Sequence, residues 1–369
     1  MTEEKISGSF ECKENQPTSL QKSATILGEG AFSTVRYYTD NNDPTGKKYI
    51  GKSFTLILNH DQTPENPLYA SMIKNELNLL LKLKYRCEDV FLCLDQCYVS
   101  MEPTDDGRWE KEYLFLFPDN PDFQTLDLYA PNLPQWTFRE KIYLCQALAE
   151  GLEKLHSIDI IHRDIKPENI LVKKEEDNRL KIKYIDYGLS CIDVRPTTLS
   201  FTCLLGVPTG TPGYQPPEQT ISSADLKQSD TWSLGIVFYF IWNNGNPPVW
   251  EDTGSGWTRF VQRYCNSESS SNYACIKNEA FNQFFESSDN HTAETELKTL
   301  IQWMTVGPIS DRPFLSRVID DLTGVIRAEK QDRFWDDEYK NVPLPLPFLS
   351  PRESRFDAED VPLSPRELS

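Results

Sequence analysis

The segment from residue 160 to residue 172 constrains the fold more than any other part of the chain. It reads Ile-Ile-His-Arg-Asp-Ile-Lys-Pro-Glu-Asn-Ile-Leu-Val, with apolar residues at both ends and two acids, three bases and an amide between them. So many ionisable groups cannot be buried without partners. The pattern therefore predicts a polar loop held between two buried segments, which is where catalytic side chains tend to lie.

The composition indicates a folded, acidic protein. The chain has 369 residues, enough for one two-lobed enzyme or two ordinary domains, and 38% of them are hydrophobic. The net charge of −18 argues against nucleic acid or an anionic membrane as a partner, and no apolar run is long enough to span a bilayer. The nine scattered cysteines and the lack of a signal peptide predict free thiols in a reducing compartment, cytoplasmic or nuclear.

Four regions follow from the pattern of hydrophobic, turn and proline residues. Residues 1–21 are polar and form either a flexible leader or an extra strand on a first lobe. Residues 22–118 contain alternating strands and one amphipathic helix, and residues 119–327 are mainly helical, which predicts an α+β fold. Residues 328–369 carry six prolines and are expected to be largely disordered; the alternative is a docking or phosphorylation segment.

The loop at residues 162–169 resembles the catalytic loop of eukaryotic-type Ser/Thr protein kinases. It matches the signature H-R-D-x-K-x-x-N, and Lys166, two residues after Asp164, is typical of the Ser/Thr branch. Other motifs follow in family order: Gly-Glu-Gly at 28–30, Asp-Tyr-Gly at 186–188, and Gly-Thr-Pro-Gly-Tyr-Gln-Pro-Pro-Glu at 210–218. The motifs are loosely closest to those of calmodulin-dependent kinases. The resemblance implies a bilobal protein-kinase fold with a small β-rich lobe and a larger helical lobe.

The resemblance also implies an ATP site built mostly on the first lobe. The glycine-containing loop would cover the phosphates, because glycine lets the backbone approach a ligand closely. Lys52 would meet the α- and β-phosphates, oriented by Glu76 on the helix. The other residues assigned to the nucleotide are Leu27, Gly28, Glu29, Gly30, Ala31, Phe32, Ser33, Val35, Ile50, Leu116, Asp119 and Leu171.

Two of these assignments have alternatives. Lys47 and Lys48 compete with Lys52, which is preferred because in an alternating strand it shares one face with Ile50. Glu76 is the only acid within the apolar stripe of its helix, and the alternative is an ordinary surface glutamate. The back of the adenine pocket is formed by Leu116 or by the next residue, Phe117.

The catalytic roles are likewise carried over from the family. Asp164 would accept the proton of a Ser or Thr hydroxyl, Lys166 would neutralise the γ-phosphate, and Asn169 and Asp186 would hold Mg²⁺. The implied cofactors are ATP and Mg²⁺, and the implied partners are protein substrates. An arginine upstream of the acceptor could meet Glu168; the sequence does not predict an oligomeric state.

Four further residues receive structural roles. Thr211 would contact the catalytic loop, Asp230 would hold the backbone of that loop, and Glu218 would pair with Arg312. A buried ion pair of that last kind specifies geometry more than chemistry.

Several positions depart from the family pattern. Ser33 replaces the third glycine of the loop, and Ile50 replaces a small alanine and would narrow the adenine slot. Tyr187 replaces a phenylalanine, and Val207 stands at the usual activating phosphosite. The departures at Ser33, Ile50 and Tyr187 motivate an alternative function, a pseudokinase scaffold that binds partners with little or no phosphotransfer.

Overall fold

The computed structural model describes residues 12–30, 33–84, 90–175, 179–192, 210–216, 226–248, 292–306 and 309–332. Several predicted features lie outside the described residues: Ala31, Phe32, Val207, the Glu218–Arg312 pair and the chain beyond residue 332. Within the described ranges a β-rich lobe precedes a mainly helical one, so the predicted α+β fold is confirmed. No helix in these ranges combines the length and apolarity needed to cross a lipid bilayer.

A six-stranded sheet forms the first lobe. Its strands are β1 (Lys13–Glu14), β2 (Leu20–Glu29), β3 (Thr34–Asp40), β4 (Lys48–Leu58), β5 (Gln96–Pro103) and β6 (Trp109–Pro118), in the spatial order β1-β5-β6-β4-β3-β2. Because side chains alternate along each strand, Phe54 and Phe115 join the main core on one face. Tyr38, Tyr49 and Leu114 belong to a separate cluster on the other face, called here the outer cluster.

The segment before β2 is attached to the edge of this sheet. β1 runs parallel to β5, and the backbone N–H of Asn15 donates a hydrogen bond to Val99 O at 2.8 Å. Residues 13–14 thus form the extra strand that was one of the two alternatives for this segment.

The cysteines differ from the prediction. Cys12 forms a disulfide with Cys97 on β5, and Cys93 and Cys191 are also disulfide-bonded. Free thiols are therefore the wrong expectation for these four residues. Among the cysteines that the structure describes, Cys145 is free, and it is buried.

Two long helices flank the site. α1 (Pro67–Lys84) packs its apolar face, including Ile73 and Leu80, into the main core. α3 (Phe138–Ser157) begins with a capping box: Glu140 N donates to Thr137 Oγ1 at 3.2 Å, and Thr137 N donates to Glu140 Oε2 at 2.8 Å. The helix then delivers the chain to the predicted catalytic loop.

The second lobe places that loop between two buried strands. Its remaining elements are β7 (Gln124–Thr125), α2 (Leu126–Tyr129), β8 (Ile160–Ile161), β9 (Ile170–Lys174), β10 (Leu180–Tyr184), β11 (Cys191–Ile192), α4 (Leu226–Trp242), α5 (Thr292–Met304) and α6 (Leu315–Asp332). β8 pairs with β11 and β9 pairs with β10. α6 continues beyond residue 327, where the tail was expected to begin.

Candidate active site

Lys52 lies where the first lobe meets the second. Its Nζ donates to Glu76 Oε1 at 2.7 Å and to Asp186 Oδ1 at 2.8 Å. The Lys52 side chain is 12% exposed and that of Glu76 is 3% exposed. Although burial acts to lower the pKa of Lys52, the charges of Glu76 and Asp186 outweigh it and raise this pKa well above its usual value. The ammonium group therefore stays charged and ties together three separate elements.

The alternatives to Lys52 do not reach this point. Lys47 forms an ion pair with Asp95 at 3.0 Å, and Lys48 is exposed. Lys52 is thus the lysine of β4 that faces the second lobe.

Asp164 and Asn169 are joined within the loop between β8 and β9. Asn169 Nδ2 donates to Asp164 O at 2.8 Å and to Asp164 Oδ2 at 2.9 Å. With its nitrogen directed at Asp164, the buried amide presents its oxygen as an acceptor. The backbone N–H of Ile185 donates to Asn169 O at 3.0 Å, which connects this loop to the segment that carries Asp186.

Thr211 joins the two residues predicted to act on the substrate hydroxyl. Lys166 Nζ donates to Thr211 Oγ1 at 2.7 Å, and the threonine hydroxyl donates to Asp164 Oδ1 at 2.8 Å. Lys166 Nζ also lies 3.4 Å from Asp164 Oδ2. The predicted contact between Thr211 and the catalytic loop is confirmed, and it fixes the orientation of the Asp164 carboxylate.

Asp230, on α4, holds the start of the loop. Its buried carboxylate accepts hydrogen bonds from the backbone N–H groups of His162 and Arg163, each at 2.8 Å. It also contacts His156 Nε2 at 2.9 Å. Arg163 has a φ of 67°, a region that non-glycine residues rarely adopt. The predicted role of Asp230 is confirmed, and its two backbone contacts hold this strained turn.

The Asp-Tyr-Gly turn is strained and anchored in a similar way. Asp186 has a φ of 64°. His162 Nε2 donates to Ile185 O at 3.1 Å, just before it. Tyr187 packs its ring 5.5 Å from the His162 ring, and its hydroxyl donates to Tyr184 O at 2.8 Å. The extra hydroxyl thus has the partner that its burial requires.

The register of β4 and β6 determines which side chains face the Lys52 side of the sheet. Ile50 lies opposite Phe117, and Gly51 lies opposite Leu116. Directly opposed residues share a face and neighbours alternate, so Phe117 lies on the face of Ile50 and Lys52. Leu116 points to the other face and packs in the outer cluster. The side chain of Leu116 therefore lies on the face opposite to Lys52, and Phe117, its alternative, lies on the same face as Lys52.

The hairpin of β2 and β3 lies over the same face. Val35 is opposite Lys52 in the β3–β4 pair, and Gly28 is opposite Val35 in the β2–β3 pair. At the tip, the backbone N–H of Gly30 donates to Ser33 O at 2.8 Å. These residues form the described part of the predicted phosphate-covering loop.

The remaining predicted nucleotide residues lie around this face. Leu27 and Glu29 are exposed on β2. Asp119 follows β6, and its backbone N–H donates to Lys48 O at 3.1 Å. Leu171 is half-buried on β9, two residues after the catalytic-loop amide.

Two oxygen donors fit the predicted magnesium ion. Burial acts to raise the pKa of Asp186, but the Lys52 charge outweighs it and lowers this pKa, so the carboxylate is ionised. The described residues include no group of three or more His, Cys, Asp or Glu side chains suited to a metal. A bound Mg²⁺ would thus take oxygen ligands from Asp186 and the Asn169 amide. Phosphate oxygens and water would complete its coordination shell, as is common for Mg²⁺.

An acidic residue that the sequence reasoning missed lies near the catalytic loop. α2, which carries Asp127, packs against residues 167–169, which include Glu168. Burial raises the pKa of Tyr214, and the charges of Glu168 and Asp127 raise it further. Glu168 is exposed, while Asp127 Oδ1 is buried without a hydrogen-bond partner. Asp127 lies in the four-residue helix α2, which carries none of the motifs used in the sequence analysis.

Comparison with known proteins agrees with this geometry. The family model "Protein kinase domain" matches residues 22–321. The chain is 29% identical over 231 residues to myosin light chain kinase A of Dictyostelium discoideum, covering 62% of this chain and 67% of that protein. It is 28% identical over 232 residues to serine/threonine-protein kinase 33 of Mus musculus, covering 60% and 41%. It is 27% identical over 232 residues to serine/threonine-protein kinase DCLK2 of Mus musculus, covering 62% and 27%.

This chain therefore spans about two thirds of the first relative and less than half of the other two. The family match itself is much broader, because it extends from β2 into α6 and includes every described residue of the site. On that match, the chain belongs to the protein kinase family.

Proposed function

We propose that this chain is a Ser/Thr protein kinase that transfers the γ-phosphate of ATP to protein hydroxyl groups. The observation that carries the proposal is the contact of Lys52 Nζ with both Glu76 and Asp186, at 2.7 and 2.8 Å. Phosphoryl transfer depends mainly on positioning and on neutralising charge. An ammonium group held between two lobes by two carboxylates supports that kind of chemistry.

The substrate hydroxyl would be activated at Asp164. Its carboxylate accepts the hydroxyl proton, and Lys166 stabilises the charge that develops on the transferred phosphoryl group. Thr211 supports this assignment because it hydrogen-bonds to both residues.

Lys52 binds the α- and β-phosphates, and Glu76 keeps it in place. Asn169 and Asp186 would hold Mg²⁺, which would neutralise charge on the phosphates. Ile50, half-buried beside Phe117, borders the space for the adenine.

A basic residue upstream of the acceptor is the substrate preference that we propose. Glu168 is exposed in the catalytic loop, and Asp127 lies on α2, which packs against residues 167–169. Two carboxylates in neighbouring segments suit the recognition of a guanidinium group. Phe240, at a position where related kinases often carry a second acid, is buried in α4. A positional-scanning peptide library should show Arg enrichment that falls in an E168Q/D127N variant; a wild-type enzyme without Arg enrichment would refute the preference.

Residence in the cytoplasm or nucleus is a separate proposal. The odd number of cysteines supports it, and the Cys12–Cys97 disulfide is the observation against it, because such bonds are rare in reducing compartments. Fractionation of intact cells should recover the chain in the cytoplasmic or nuclear fraction. Recovery in the secretory pathway or in the medium would refute the proposed compartment.

The test of the kinase proposal compares three variants. Lys52→Met and Asp186→Asn should abolish phosphate transfer while the thermal unfolding curve stays cooperative. Lys47→Met, the same change at a lysine that pairs with Asp95 outside the site, should keep full activity.

The pseudokinase alternative makes the opposite prediction. It requires wild-type protein that shows little or no autophosphorylation with Mg-ATP. The contacts favour the enzyme. Lys52 donates to Asp186, Asp164 contacts Lys166 and Asn169, and the backbone bond from Ile185 to Asn169 connects the two groups. Full activity of the Asp186→Asn variant would also end the kinase proposal.

A further inference from the structure

Tyr187 carries a hydrogen bond that no phenylalanine at its position could make. Its side chain is 1% exposed, and its hydroxyl donates to Tyr184 O at 2.8 Å. The bond passes over Ile185 and Asp186, so it closes a ring of backbone and side chain around the residue that faces Lys52. Replacing Tyr187 with phenylalanine would remove the bond and keep the packing of the ring against His162.

Asp186 needs such support because its backbone is in an unfavourable region. A φ of 64° is adopted by few non-glycine residues and persists only where the surroundings impose it. In Ile185, the residue before it, the backbone N–H donates to Asn169 O and the carbonyl oxygen accepts from His162 Nε2. After it, the backbone N–H of Ser190 donates to Tyr187 O at 3.1 Å. The turn is thus fixed on both sides.

We propose that the Tyr187 hydroxyl is a latch that holds Asp186 in its site-facing conformation. Tyr187 is then a positioning residue, which acts through Asp186 and contacts neither substrate. This inference rests on the proposed function for its kinetic consequence, but the latch itself is a property of the chain without nucleotide.

The latched turn is also connected to the helix that supplies Glu76. Asn75 Nδ2 donates to Ser190 O at 2.6 Å, and Asn75 directly precedes Glu76 on α1. Opening the turn would therefore disturb the partner of Lys52 as well as Asp186. The latch should favour the state in which all three charges are together.

The experiment compares Y187F with Y184F. The Tyr184 hydroxyl donates to Leu148 O, also at 2.8 Å and also buried, but this bond leads to α3 and does not span the turn. Each variant therefore loses one buried hydrogen bond from a tyrosine to a backbone carbonyl. Their loss of global stability should be similar, and only Y187F should free the turn.

Two measurements separate the variants. Hydrogen exchange of the amides at 185–190 in the nucleotide-free protein should be about fivefold faster in Y187F, the factor that corresponds to about 1 kcal/mol for one hydrogen bond. The Mg²⁺ concentration that gives half-maximal phosphate transfer should rise by a similar factor, because Asp186 is the proposed ligand. Y184F should change neither by more than about a factor of 1.5, well below the effect of one hydrogen bond.

The latch is wrong if the two variants show equal exchange at 185–190, whatever their activity. If Y187F alone shows faster exchange but the wild-type protein transfers no phosphate, the latch stands and the proposed function fails. The two conclusions can therefore be overturned separately.

Discussion

Glu76→Gln should show how much the Lys52 ion pair contributes to the fold and to the site. Removing one partner of a buried pair costs about 3–5 kcal/mol when the other charge is left uncompensated. In the variant, Lys52 Nζ still has Asp186 Oδ1 at 2.8 Å, and the glutamine still offers an acceptor oxygen. Part of the compensation for the buried Lys52 charge therefore remains. We therefore expect a loss of about 2 kcal/mol in the free energy of unfolding, or a Tm lower by roughly 4 °C.

Glu65→Gln is the matched control. Glu65 pairs with Arg108 at 3.2 Å, but these side chains are 53% and 39% exposed, and such surface pairs contribute about 0–1 kcal/mol. Urea unfolding, monitored by tryptophan fluorescence, gives the free energy of unfolding of both variants. The rate of phosphate transfer from ATP should fall at least about tenfold in E76Q alone, which corresponds to a loss of about 1.4 kcal/mol in transition-state binding. Equal stability losses in E76Q and E65Q would show that the Lys52–Glu76 contact carries no special energy.

Three further predictions test other parts of the structure. A Cβ on Gly51 would overlap the buried ring of Tyr38, so Gly51→Ala should lower the free energy of unfolding by about 2 kcal/mol through overpacking. A Cβ on Gly324 would have no neighbour within 4 Å, so Gly324→Ala should raise that free energy by about 0.5 kcal/mol. Urea unfolding measures both changes. Cys12→Ser removes the disulfide between Cys12 and Cys97, which are 85 residues apart, and should lower stability by up to about 4–5 kcal/mol, seen as a lower Tm without reductant. The lowered pKa of Asp186 makes its charge stabilising above the unfolded value of about pH 4, and this contribution is lost as the pH falls through the folded value. The stability difference between wild type and D186N should therefore be constant between about pH 6 and 8 and shrink below about pH 4.

The order of the motifs predicted most of the second-lobe site. Asp164, Lys166 and Asn169 lie within six residues, so a single loop between two buried strands brings them together whatever the rest of the chain does. Helix α1 was also predictable, because its apolar stripe leaves Glu76 as the one acid pointing inward.

In the first lobe, the set of side chains that faces the site depends on how the strands pair, which the local sequence does not determine. A one-residue slip between β4 and β6 would exchange Leu116 and Phe117 between the two faces of the sheet. Composition does not separate the two residues, since both are apolar and buried. The pairing of Cys12 with Cys97 also depends on strand pairing, because β1 lies beside β5. The polar sequence of residues 1–21 was compatible with either a flexible leader or an extra strand, so it did not predict this contact.

Helix α1 is the element on which assembly of the site depends. Asn75 donates to Ser190 O at 2.6 Å, Glu76 accepts from Lys52 at 2.7 Å, and Lys82 donates to Ile158 O at 3.0 Å. Two of these contacts cross to the second lobe, and the third orients the lysine that crosses to Asp186. A rotation of α1 by one residue, about 100°, would move all three side chains away from their partners at once. The position of α1 therefore affects all three contacts together.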